Sequence, residues 1–217
     1  MTYVSWTAFY EGESDRAYFD ILIPRLMETI ILERGIRNSV VPPSPAVIIA
    51  GGSIEEVAHN ACNLKDAFHL IFFHADTGGR NLEADITRRS DQYCSRMVIL
   101  CDWPGVRCIT ILPRHEVEAW VLADASAVLG ALGYKGSPAS VGLPNGAREA
   151  ERLTDPKAVL RNCLETVRGR RRPFDARQIF PAIAQRQNIA LLRQAPSFSQ
   201  FEQSLSLALS DLGCIQN

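Results

Sequence analysis

Apolar residues fall along this chain in two patterns, short unbroken runs and longer stretches where they recur every three or four positions. The runs cover residues 4–10, 46–50, 70–74, 97–101 and 106–112. Runs of that length, bounded by turn residues, predict strands buried on both faces. Between them lie helical periods. Tyr18, Phe19, Ile21, Leu22, Leu26, Ile30 and Ile31 follow Ser14, a candidate N-cap, and Pro24 is expected to kink or divide that helix. Val57, Ala61, Leu64 and Phe68 follow a second cap, Ser53, and predict a helix over about 54–68. A polar helix is predicted over 82–94 and an apolar one over 119–132, ended by Gly133. Asp102-Trp103-Pro104-Gly105 carries strong turn chemistry and fits either a hairpin or a loop before a single strand.

Strands alternating with helices predict an α/β fold, a mainly parallel sheet with helices on both faces. The Gly/Pro/Ser-rich segment 136–146 interrupts this pattern. Beyond it the chain reads as helices over 155–165, 176–187 and 199–212, the last with Phe201, Leu205, Leu209 and Leu212 on one face. The expected organisation is an α/β domain over 1–135 and a helical extension over 136–217 packed on it.

With 217 residues, 47% hydrophobic and 22% charged, the composition is that of an ordinary soluble globular protein. No apolar run approaches the roughly 18 residues that cross a bilayer. The N-terminus meets an acid after a short apolar stretch, without a basic region, so it does not read as a signal peptide and a cytoplasmic location is expected. Six scattered cysteines show no metal or redox spacing and are expected as reduced, buried thiols. His59, His69, His74 and His115 form no zinc motif. Charge is uneven. Positions 148–193 hold eleven basic and five acidic residues, against twelve and nineteen elsewhere, for a net charge of −1. A basic C-terminal third hints at a polyanionic partner.

Acidic residues stand where apolar strands end. They are Glu11 and Asp15 in SWTAFYEGESD, Asp76 in LIFFHADTGGR, and Glu116 and Glu118 in ITILPRHEVEAW. Strand ends of an open parallel sheet share one edge, and ligands bind there. Grouped carboxylates suit a hard divalent ion, the partner of phosphoryl chemistry. Asp15, in the first turn of a helix, can face back over the strand end, where helix amides also favour phosphate. Glu116 and Glu118 would lie on different faces of a helix, so one at most reaches the site, with Glu118 preferred. Asp76-Thr77-Gly78 also spells the aspartic-protease triplet, but a helix-rich α/β chain is the wrong setting for it. Arg168, Arg170, Arg171 and Arg172, with Arg161 and Arg177 nearby, are candidate phosphate contacts. Phe174 beside them is a candidate stacking residue.

These motifs resemble the Toprim fold of topoisomerases, primases and nucleases of the overcoming-lysogenization-defect type. EGESD after the first strand, Asp76 after a central strand and the glutamate of HEVEAWVLAD carry the resemblance. More narrowly, ExEAWxLAD followed by DPKAVL is similar to a small prokaryotic Toprim-like family of unknown function, often encoded beside ATPase genes in defence islands. The resemblance implies a Mg²⁺- or Mn²⁺-dependent nuclease acting on DNA or RNA with an ABC- or AAA-type ATPase partner. Glu11, Asp76 and Glu118 then take the catalytic positions, and Asp15 joins them as a metal ligand. One departure stands out. Where the pattern has DxD this chain has Asp76-Thr77-Gly78, so the second aspartate is missing, and Asp102 is the candidate substitute.

Overall fold

In the computed structural model, which describes residues 1–76, 82–169 and 175–216, with backbone alone over 82–91, three of the five apolar runs hold strands, over 6–9, 70–74 and 108–111. In chain order the elements are β1 (Thr2–Tyr3), β2 (Trp6–Phe9), α1 (Glu13–Arg34), β3 (Ser39–Val40), α2 (Ile54–Asn63), β4 (Leu70–His74), α3 (Leu82–Cys101) and β5 (Cys108–Ile111). There follow α4 (Glu118–Val121), α5 (Ala125–Leu132), α6 (Ala147–Ala150), α7 (Pro156–Arg168), α8 (Ala176–Arg186), α9 (Ile189–Leu192) and α10 (Pro196–Asp211). The chain is mixed α/β, with β2, β4 and β5 in a parallel sheet of that order and β1 and β3 in a separate parallel pair.

Alternation along β4 builds two cores. Leu70 and Phe72 join Trp6, Ile109, α1 and the helices from α4 onward on one face of the sheet. Ile71 and Phe73 face Val57, Ala58 and Ala61 of α2 and Met97 of α3 on the other. A strand covered on both faces has no polar side, as its sequence indicates. Each fully buried leucine or phenylalanine here contributes about 1.5–3 kcal/mol.

Several expectations change for local reasons. The strand expected over 46–50 shrinks to one bridge, Ala8 to Ile48, with Ala46 N–H donating to the Trp6 carbonyl at 2.6 Å. Prolines at 42, 43 and 45 remove ladder donors, so this segment can only graze the sheet edge. Residues 97–101 are the last turn of α3, not a strand. Cys94, Met97 and Cys101 share one helix face toward the second core, leaving Ile99 at 69% exposure. A five-residue apolar run cannot by itself separate these states. Asp102, with φ of 53°, then closes the helix in the left-handed region.

The N-cap of α1 is Gly12, not Ser14, and its φ of −150° is extended backbone open to any residue. Pro24 does not divide α1, which runs on through it with the proline ring buried. Ser53 does cap α2, in a reciprocal capping box with Glu56, but that helix ends at Asn63. The apolar helix expected over 119–132 is two helices. Asp124 breaks it by accepting from Ala127 N–H at 3.1 Å and from Asn188 N–H at 2.9 Å. Gly133 ends α5 with φ of 66°, as expected.

The cysteines are not all reduced. Cys62 is bonded to Cys101 and Cys94 to Cys108, while Cys163 and Cys214 are free and buried. No described helix is long and apolar enough to cross a membrane.

Candidate active site

From β2 the chain first crosses to the Ile48 edge and then returns past β2 to β4 on the other side. The order of strands therefore reverses between β2 and β4. In open α/β sheets the crevice beyond the carboxyl ends of two such strands is the ligand site. Glu11 follows β2 there, and Asp76 follows β4.

The two acids touch. Asp76 N–H donates to Glu11 Oε2 at 3.4 Å. Behind them lies His74, the last residue of β4, fully buried with its ring 4.8 Å from that of Phe19 in α1. Its Nδ1 is 3.6 Å from Asp15 Oδ2 and its Nε2 is 3.4 Å from Asp76 Oδ1. Neither ring nitrogen completes a hydrogen bond in this arrangement. Asp15 occupies the first turn of α1 and is buried, facing back over the strand end as its position predicts. Burial raises its carboxyl above the usual aspartate range; His74 opposes the shift and Asp76 adds to it.

The third wall comes from the segment after β5. His115, with φ of 69°, turns the chain ahead of Glu116. Glu118 opens α4 and is 5% exposed, because Val117, Ala119 and Trp120 beside it are drawn into the core. Trp120 is fixed there by donating Nε1–H to Ser197 Oγ at 2.7 Å. Burial pushes the Glu118 carboxyl up to about 7, with Glu116 and Asp76 raising it further and Lys157 opposing. Glu116 is half-buried, and its Oε2 is enclosed without a hydrogen bond.

Glu11, Asp15, Asp76 and Glu118 thus share one neighbourhood centred on Asp76. They do not close on a common point. Among the described residues no three His, Cys, Asp or Glu side chains stand close enough to hold a metal ion as placed. The donor set nonetheless fits a hard cation, since the acids are oxygen ligands whose crowded charge a divalent ion would relieve. A cleft of about 340 Å³ opens beside Glu11, walled by Tyr10, Arg16 and Ile48.

Other candidates lie elsewhere. Asp102 precedes β5, which is parallel to β4, so it stands at the opposite edge of the sheet and cannot replace the missing aspartate. Arg168 is exposed at the end of α7, and Arg177 is paired with Asp175 at 2.9 Å. Arg170, Arg171, Arg172 and Phe174 lie outside the described residues, as do Thr77 and Gly78. His74 is the residue that motif reading passed over. Its signal was a histidine closing an otherwise apolar strand buried on both faces. Comparison with family models, curated proteins and solved structures gives no match.

Proposed function

We propose that this chain is a Toprim-type, divalent-metal-dependent nuclease, hydrolysing phosphodiesters in anti-phage defence together with an ATPase partner. One observation carries the reading. Glu11 and Asp76, from the ends of β2 and β4, adjoin beside the buried His74 at the switch point of a parallel sheet, and Glu118, beyond β5, lies within reach of the charge of Asp76. The defence role and the ATPase rest on the resemblance of ExEAWxLAD followed by DPKAVL alone.

Glu11 and Asp76 would hold Mg²⁺ or Mn²⁺, which when bound neutralises the attacked phosphate and makes a nearby water more acidic. Asp15 is a positioning residue rather than a ligand. Its carboxylate lies 3.6 Å from one ring nitrogen of His74 while Asp76 lies 3.4 Å from the other, so a protonated His74 would bridge the two acids and hold Asp76 in place. Glu118, with its carboxyl near 7, accepts the proton of the attacking water, since a base tuned close to the working pH is the most effective.

The absent second aspartate of the DxD pattern favours a second reading, a non-catalytic subunit binding an ATPase or nucleic acid. Plasmid, single-stranded DNA and tRNA incubated with the protein under Mg²⁺, Mn²⁺ or chelator separate the two. Cleavage that chelator stops and that E11Q or D76N abolishes is the expected result. Absence of cleavage on every substrate, with a cognate ATPase also present, would contradict it.

A further inference from the structure

Arg114, Arg148 and Arg152 line a second cleft of about 460 Å³, together with Arg193, Glu151 and Ser199. Arg114 leaves the end of β5, while Arg148 lies in α6 and Arg152 one turn beyond it on the same side. All three are exposed, and among the described residues none forms an ion pair or a side-chain hydrogen bond. Arg193 differs. It is clamped 2.7 Å from both Glu33 and Glu202, which hold its guanidinium well above the usual range.

The acid of the cleft is already engaged. Glu151 is buried, and its Oε1 accepts from the Ser197 N–H at 3.1 Å and from the Ser197 hydroxyl, in the first turn of α10. Three guanidiniums therefore face a single carboxylate that the fold uses for something else. Segments more than thirty residues apart in sequence bring these arginines together, so they are not a local run on one solvated helix. The planar guanidinium fork matches phosphate oxygens in pairs.

Resting on the nuclease reading above, we propose that this cleft holds phosphate groups of the nucleic-acid strand that enters the acidic site. Arg114 precedes Glu116 by two residues, so their Cα atoms are at most about 7 Å apart. Glu118 follows four residues after Arg114, so a strand held at Arg114 would lie within about 14 Å of that carboxylate's backbone.

The test is binding of a fluorescein-labelled single-stranded 20-mer, followed by anisotropy in EDTA over a range of salt. R114Q/R148Q/R152Q should bind about tenfold more weakly at 100 mM salt, with a log–log salt slope smaller by about 2. R114K/R148K/R152K should keep most of that slope. Equal thermal midpoints show that the glutamine variant is folded. Unchanged affinity and slope in that variant overturn the cleft, even if the acidic site cleaves. A pyrophosphate-induced thermal shift lost in the variant while 20-mer binding persists would assign the cleft to a small phosphate compound and overturn the strand. Binding that follows the arginines in a protein that cleaves nothing would uphold the cleft while refuting the nuclease.

Discussion

Glu118 is where burial and chemistry oppose each other most directly. Its ordinary value of 4.5 is raised to about 7 in the fold, so the native chain binds that proton more tightly than the unfolded chain does. Stability must then fall as pH rises from near 4.5 through 7, and the penalty is complete above 7. E118Q carries no charge at any pH. Its gain over the wild type should be negligible near pH 4 and on the order of 3 kcal/mol at pH 8, measured by urea unfolding. A gain independent of pH would refute this. The same variant should lose about 10²–10⁴-fold in cleavage, and the wild-type rate should climb with pH as Glu118 gives up its proton. The acids were legible in the sequence because each follows an apolar run. The role of His74 was not, because Asp15 meets it only after α1 folds back over β4.

Helix ends decide the element scale. Asp124 satisfies two backbone donors from helices far apart in sequence, the first turn of α5 and the start of α9. D124A should therefore cost about 2–4 kcal/mol in urea unfolding, more than a surface cap, since both N–H groups are left without that acceptor in a mostly buried place. A cost below about 1 kcal/mol would show that the link to α9 contributes nothing. Apolar periodicity located this stretch but could not show the break, because a capping aspartate adds nothing to the apolar pattern. The last turn of α3 misled for the opposite reason. Val98, Ile99 and Leu100 are apolar yet exposed, and only Cys94, Met97 and Cys101 report the helical face. Gln187 ties the elements of the site together. It accepts from the Tyr18 hydroxyl of α1 at 2.6 Å and donates to the Trp120 carbonyl of α4 at 2.7 Å, holding the two helices that carry Asp15 and Glu118.

At the scale of the whole molecule, one three-stranded sheet divides two cores, and both faces could be read from the apolar runs because parallel strands of this kind show no polar side. The cysteine pairs could not be read, since spacing says nothing about thiols joined through tertiary packing. Cys94 and Cys101 tether α3 to β5 and α2. Purified without reductant and titrated with Ellman's reagent in denaturant, the chain should release two thiols, those of Cys163 and Cys214; six would contradict the pairing. The sheet also explains why distant acids meet, since reversing the strand order between β2 and β4 opens the crevice into which Glu11 and Asp76 both emerge. An anomalous-difference map from a Mn²⁺-soaked crystal addresses that convergence most directly. The account predicts a peak about 2 Å from carboxylate oxygens of both Glu11 and Asp76, with Glu118 facing it. A map without density there, in a crystal where those carboxylates are ordered, would contradict it.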